Sequence, residues 1–227
     1  MKQLEWKLPW RKLLVESLVV VASVYVAIVL EGASEARGRR VDALHALMSL
    51  RAELALDRTD LDVILAAQKD RDIRHRRLER WLGDVSAMPS DSVTADFRAL
   101  FSVNRTMFPR NSSWTTMIAS GQLSDLDDPI LIARLANLYE NLNVRLEYNG
   151  ALYDDWVADV ARSAVSDSWD LVEGQLLVSD GDEAHRLRSR LFGLHDLAQG
   201  FIGLLEDWGV QLDAVIADVD RYIEREG

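Results

Sequence analysis

The sequence predicts an all-α protein in which an N-terminal transmembrane helix continues into a bundle of three long helices with a short helical insertion. Three observations support this: an apolar run near the N-terminus, stripes of apolar residues at helical spacing, and very few strand patterns. The chain has 227 residues, 48% of them hydrophobic, which is enough for a sizeable core. It contains no Cys, which excludes a disulfide-stapled module, a thiolate metal site and a cysteine nucleophile.

The apolar run extends from Leu13 to Leu30 and contains one ionisable residue, Glu16. At 1.5 Å per residue this helix would be about 27 Å long, close to the thickness of the hydrocarbon core. The tail before it, residues 1–12, combines Trp6 and Trp10 with basic residues, as is typical of a headgroup interface. We therefore predict a transmembrane helix at 13–30.

Two other interpretations of the run stay open. A cleaved signal peptide has a shorter apolar region, but Ser34-Glu35-Ala36 resembles a small-x-small cleavage site. The run could also be a buried helix of a soluble bundle. Glu16 lies near the start of the helix, where an anion is favoured, so we interpret it first as a structural residue and second as an intramembrane partner contact.

The short tail and the long C-terminal part predict a signal anchor in the bacterial inner (cytoplasmic) membrane. The N-terminus would be cytoplasmic and the bulk domain periplasmic, although basic residues flank both ends of the run in similar numbers. The chain has a net charge of −11, with 37 Asp and Glu against 26 Lys and Arg. This balance argues against a nucleic-acid partner, which would require a basic face.

The extramembrane part, residues 31–227, should contain long helices at about 35–83, 128–171 and 182–226 and short helices at about 93–122. Whether the first helix is continuous through Gly32 and Gly38 is left open. Its apolar stripe consists of Leu47, Leu50, Leu54, Leu61, Ile64 and Gln68, with Asp57 at the missing position. The last helix has a coiled-coil-like seam: Leu187, Leu191, Leu194, Ala198, Phe201, Leu205, Trp208, Leu212, Val215, Val219 and Tyr222. This seam should either be buried within the chain or pair between chains.

No catalytic, nucleotide-binding or metalloprotease motif is found, so we expect no enzymatic activity, no cofactor and no metal. Three Asp-x-x-His pairs, beginning at Asp42, Asp72 and Asp182, have the spacing of metal ligands, but the first two lie too far apart on one helix to share an ion. The charged segment 69–81 could bind a phosphate, a lipid headgroup or an acidic partner surface, but it contains oppositely charged residues four apart, which favours a solvated helix face.

Two sequence elements resemble a family of bacterial single-pass membrane proteins known only as a domain of unknown function. The first is Leu13-Leu14-Val15-Glu16, followed by a charged helix from Glu35. The second is an aromatic-x5-Ser-Gly-x-Leu element that leads into a helix with a Tyr-rich end, here Trp114, Ser120, Gly121, Leu123, Leu135, Leu138 and Tyr139. The resemblance covers most of residues 11–140. It implies an N-terminal anchor followed by a helical domain, and no particular activity.

We expect a non-enzymatic, single-pass, membrane-anchored helical scaffold or accessory subunit of a larger membrane protein complex, which acts through helix packing. Its expected partners are the lipid bilayer and either another protein or a second copy of the chain. The alternative is an extracytoplasmic sensing or ligand-binding helical bundle that signals through a partner. The residues expected at membrane or partner contacts are Trp6, Trp10, Glu16, Tyr25, Phe201 and Trp208.

Overall fold

The structure, a computed structural model, describes residues 10–83, 91–102, 106–170, 175–177 and 181–226. Almost all of them are helical, which confirms the predicted all-α class. The helices are α1 (Trp10–Leu82), α2 (Asp91–Ser102), α3 (Ser112–Ser120), a 3₁₀ turn (Gln122–Asp125), α4 (Pro129–Ala136), a π-helical turn (Asn137–Leu142), α5 (Asn143–Ser168) and α6 (Gly181–Glu226). Two strands of two residues each, β1 (Trp169–Asp170) and β2 (Gln175–Leu176), pair antiparallel between α5 and α6.

Helix α1 is continuous over 73 residues and passes through Gly32 and Gly38 without a break. The sequence has no Pro between Pro9 and Pro89, so no residue in this stretch lacks a backbone N–H or fixes φ. Its length of about 110 Å follows from the helical rise. One rigid element therefore joins the apolar N-terminal run to the rest of the molecule.

Helix α6 runs antiparallel to α1 and buries the whole predicted seam from Leu187 to Tyr222 within the chain. Interhelical ion pairs flank the apolar contact, with Arg51 bound to Asp220 and Arg58 bound to Asp213, each at 2.8 Å. Helix α5 packs against α6, also antiparallel, so that α1 and α5 point the same way. The steps of three and four residues in the seam place its side chains on one face of α6, which explains their burial.

Short helices form the connection between α1 and α5: α2, α3 and the 3₁₀ turn lie against α1, and α4 lies against α6. Helix α3 ends at Gly121, whose left-handed backbone (φ 75°) is the conformation that glycine adopts most readily at a helix C-terminus. Helix α4 begins after Asp128, whose carboxylate accepts a hydrogen bond from the backbone N–H of Leu131 at 3.0 Å. Pro129 occupies the first turn of α4, where its missing N–H costs nothing.

The helix expected at 128–171 contains a π-helical turn at Asn137–Leu142 that the sequence analysis did not foresee. A π turn inserts an extra residue and rotates the side chains that follow it. Leu131, Leu135 and Leu138 are buried before the turn, and Leu146 and Tyr153 after it. Leu142, one helical turn after the buried Leu138, is only partly buried because of this rotation.

Candidate functional site

The N-terminal part of α1 carries an apolar surface that no other described part of the chain covers. Side chains described between residues 14 and 30 are all exposed. By length and composition this one helix could cross a membrane, and none of its most apolar 18-residue stretch is buried. This apolar stretch therefore contributes nothing to the core of the described chain. An exposed apolar face of this size is typical of a surface covered by lipid or by another protein.

Three of the predicted contact residues lie on this surface. Trp10 is 71% exposed and Tyr25 is 69% exposed. Glu16 is exposed near the beginning of the helix. Lipid or a partner could reach all three. Trp6 lies outside the described residues.

Phe201 and Trp208, the other two predicted contact residues, are buried inside the chain. The indole Nε1 of Trp208 donates a hydrogen bond to Oδ1 of Asn143 at 2.9 Å, and the ring of Phe201 stacks on Tyr153 with 5.6 Å between centroids. Both belong to the seam that α6 buries against its neighbours, so neither is available at the surface of this chain. Of the two outcomes expected for the seam, burial within the chain is the one observed.

A buried carboxylate occupies the gap in the apolar stripe of α1. Asp57 is 1% exposed and accepts hydrogen bonds from Arg110, through the backbone N–H at 3.1 Å and the guanidinium Nη1 at 2.7 Å. Burial raises the pKa of Asp57, while the hydrogen bonds and charge of Arg110 oppose that rise. The pair fastens the segment before α3 to the middle of α1.

An aromatic pair lies beside Asp57. The rings of Trp114 in α3 and Tyr139 in the π-helical turn stack with 5.0 Å between centroids and 5° between planes. The Tyr139 hydroxyl is buried and has no hydrogen-bond partner. Burial, followed by the negative charges of Asp57 and Glu53, raises the pKa of this hydroxyl well above its ordinary value. The stack joins the π-helical turn to α3.

A second polar cluster, the histidine cluster, consists of Asp72, His75 and Glu79 from α1 and His195 from α6. The Nε2 and Nδ1 atoms of His195 lie 2.7 Å from the carboxylates of Asp72 and Glu79, respectively. The imidazolium form satisfies both contacts, because both of its ring nitrogens then donate. His75 stacks on His195 and is 1% exposed; burial, the charge of His195 and that of Arg71 lower its pKa to about 3.

One turn below His75 is a buried guanidinium. Arg71 is 6% exposed, and neither of its terminal nitrogens, Nη1 and Nη2, has a hydrogen-bond partner. The hydroxyl of Tyr153 is its neighbour from α5: burial raises the pKa of this hydroxyl, and Arg71 opposes the rise. A buried charge without a counter-ion is expensive, since the desolvation penalty is several kcal/mol even after relaxation, on the order of 5. Arg71 therefore has two buried hydrogen-bond donors for which no described side chain provides an acceptor.

The interpretation of residues 69–81 as a solvated face is wrong for the side of α1 that carries Arg71 and His75. The predicted pairs are present, with Asp70 bound to Arg74 at 2.7 Å and Asp72 bound to Arg76 at 2.9 Å. However, the steps of three and four residues in the α1 stripe continue beyond its expected end, through Arg71, His75, Leu78 and Leu82, and all four are buried. This continuation is the sequence signal that could have located the cluster.

The three Asp-x-x-His pairs do not come together. His45 and His185 are exposed, and Asp72 is turned toward His195 instead of His75. Within the described ranges, no group of three or more Asp, Glu or His side chains is arranged to hold a metal ion.

The family described as DUF6090, a family of unknown function, matches residues 16–172 of the chain. The match covers more than half of the sequence, from the apolar run through α5, and includes Asp57, Arg71, Trp114 and Tyr139. No curated protein and no solved structure matches the chain. The chain therefore belongs to the DUF6090 family, as its resemblance to a family of unknown function had indicated.

Proposed function

From this membership and the exposed apolar run, we propose that the chain is a non-enzymatic, single-pass, membrane-anchored helical scaffold or accessory subunit of a larger membrane protein complex. The run at 13–30 is the anchor. The helices that follow form a three-helix extramembrane bundle of α1, α5 and α6, with the short helices as an insertion. The location is the bacterial inner membrane, with the N-terminus cytoplasmic and the bulk domain periplasmic.

The observation that carries the proposal is the exposure of the apolar part of α1. Apolar side chains on every face of that part are exposed, as the four successive residues Leu18, Val19, Val20 and Val21 show, because consecutive side chains on a helix point about 100° apart. An interfacial helix would have a polar face, whereas this surface is apolar all round and has the length of a membrane crossing. The acyl chains of a bilayer would cover all faces of this surface together.

A structural role is supported by what the interior polar groups bind. Asp57 holds Arg110, and His195 holds Asp72 and Glu79, so these charges tie segments of the chain to one another. The continuous α1 then transmits the position of the anchor rigidly to the bundle. Such a molecule can hold a partner at a fixed height above the membrane.

The partner is tested by purification of the full-length tagged protein in a gentle detergent, with mass measurement of the particle and identification of every stoichiometric component. We expect a companion membrane protein that is lost or depleted in the Glu16→Leu variant. Glu31→Leu, which changes an exposed carboxylate just after the run, is the matched control and should keep the companion. A particle with the mass of a single chain would contradict the proposal; a homo-oligomer would leave only the self-assembling scaffold.

Orientation is tested by cysteine labelling, which the absence of native Cys makes clean. A single Ser189→Cys variant, exposed on α6, should react with a membrane-impermeant maleimide in intact spheroplasts. Labelling only after lysis would reverse the proposed orientation.

The second candidate, an extracytoplasmic sensing bundle that signals through a partner, is favoured by one observation. The same unbroken helix joins the apolar run to the buried groups Arg71 and His75. A ligand that moved these groups would act directly on the helix that enters the membrane. A two-residue Gly insertion after Gly38, which uncouples the two halves of α1, should abolish signalling but leave a scaffold's companion bound.

A further inference from the structure

The interior around Arg71 contains buried nitrogen atoms that have no hydrogen-bond partner. Nη1 and Nη2 of Arg71 and Nδ1 of His75 are all buried and without a partner. The two residues are four apart on α1, hence on one face of the helix and one turn apart. The hydroxyl of Tyr153 approaches Arg71 from α5. A guanidinium offers only donors, so an acceptor is missing at this point.

The carboxylates of this region are committed elsewhere. Asp72 binds His195, Arg76 and Gln199, and Asp96 binds Arg74 and Arg77 at 3.0 and 2.6 Å. Asp154 accepts a hydrogen bond from the Thr106 hydroxyl. One oxygen each of Asp96 and Asp154 is buried without a partner, yet neither carboxylate forms a hydrogen bond or ion pair with Arg71. The buried positive charge therefore lacks a protein counter-ion among the described residues.

We propose that Arg71, His75 and Tyr153 form a binding site for one small oxyanion, a carboxylate or a phosphate, between α1 and α5. The two terminal nitrogens of the Arg71 guanidinium form a planar fork that matches two oxygens of such an anion. His75 donates from Nδ1 in the tautomer that carries its proton there, and the Tyr153 hydroxyl provides a further donor. The anion neutralises the charge of Arg71 and accepts hydrogen bonds from the three nitrogen atoms that lack a partner.

The site differs in kind from the charged groups on the surface of the bundle. Arg51 and Arg58 already bind carboxylates across the helix contact, and their charge is open to solvent. Arg71 is enclosed, so an anion bound there is screened little by salt and is selected by the shape of the fork.

Isothermal titration calorimetry of the detergent-purified full chain with sodium phosphate and with sodium acetate tests the site, with sodium chloride at equal ionic strength as the reference. We expect binding of one anion per chain and a melting temperature that rises with its concentration. The probe that binds more tightly identifies the class: acetate indicates a planar carboxylate, and phosphate a tetrahedral oxyanion.

Arg71→Met should weaken binding at least tenfold and, in buffer with chloride alone, should unfold at a higher temperature than the wild type, because an unpaired buried charge is removed. Arg71→Lys keeps the charge without the fork and should bind more weakly than the wild type; it also serves if the Met variant fails to fold. Arg186→Met, at an exposed position of α6, is the matched control and should bind normally. Absence of heat with both anions, or equal binding by the wild type and both Arg71 variants, would overturn the inference and leave water or Asp154 as the partner of Arg71.

Discussion

The imidazole rings of His75 and His195 stack in parallel, with 5.1 Å between their centroids and 1° between their planes. They belong to α1 and α6, so the stack is part of the contact between the two longest helices. His195 is held by carboxylates on both sides, whereas His75 is buried beside it and near Arg71. Burial is the main reason that the pKa of His75 is lowered to about 3.

His75 should make the protein less stable as the pH falls. The unfolded chain takes up a proton at this residue near pH 6.5, whereas the folded chain resists protonation until about pH 3. Because the unfolded state then binds more protons, the free energy of unfolding should decrease by up to about 1.4 kcal/mol per pH unit between pH 6.5 and 4. Thermal unfolding in detergent at a series of pH values measures this slope.

The control for this prediction is an exposed histidine. His75→Gln should flatten the slope between pH 6.5 and 4, and His185→Gln, on the surface of α6, should leave it unchanged. Burial alone would raise the pKa of Asp72, but the hydrogen bond from His195 and the charge of Arg76 lower it overall. Its contribution is therefore lost only below about pH 4, outside this window. Equal slopes in the two variants would contradict the assignment to His75.

The Asp57–Arg110 contact should matter far more than ion pairs at the surface. Asp57→Ala leaves the backbone N–H of Arg110 without its acceptor and the guanidinium with Asp60 alone, which should lower the free energy of unfolding by about 1–3 kcal/mol. Asp213→Ala breaks an exposed pair with Arg58 and should cost about 0–1 kcal/mol. Chemical denaturation measures the free energy of unfolding of both variants. Similar losses would contradict the prediction that the buried pair contributes more to stability than the exposed one.

The hydrogen bond between Trp208 and Asn143 should be visible in stability. Trp208→Phe removes the indole N–H, leaves the Asn143 oxygen unpaired and creates a small cavity, for a loss of about 2 kcal/mol. Trp156→Phe is the matched change on α5, where the side chain is 47% exposed, and should cost less than about 0.5 kcal/mol. Urea denaturation followed by circular dichroism measures both. A larger loss in Trp156→Phe would be incompatible with the described packing.

Sequence patterns were most informative where apolar residues alone define a face. Every member of the α6 seam is buried because steps of three and four residues keep its side chains on one side of the helix. The same steps run through α1 from Leu47 to Leu82. A search for apolar residues alone ends this stripe at Gln68, because the next two positions are polar. Arg71 and His75 occupy seam positions with polar side chains, and charge composition alone assigns such residues to the surface.

The parts that sequence reasoning missed depend on contacts between distant segments. Arg110 meets Asp57 across 53 residues, and His195 meets Asp72 across 123, so no local spacing predicts either pair. The stack of Tyr139 on Trp114 likewise joins residues 25 apart in the chain, and no local spacing predicts it. Local patterns thus predicted the helices. The buried polar contacts could not be predicted in this way, because they form only when distant helices pack together.

The most direct test of the membrane anchor is alkaline carbonate extraction of membranes from bacteria that produce the full-length chain, with the intact mass of the recovered protein. We expect the wild type to stay in the membrane pellet with residues 1–36 attached. The double variant Val21→Arg/Val24→Arg should leave the pellet, because each central Arg costs about 2.5–3.5 kcal/mol of insertion free energy. Val63→Arg, at a similarly exposed position of the same helix (54%), should stay with the pellet. Extraction of the wild type into the supernatant, or a mature chain that begins after Ala36, would contradict the account.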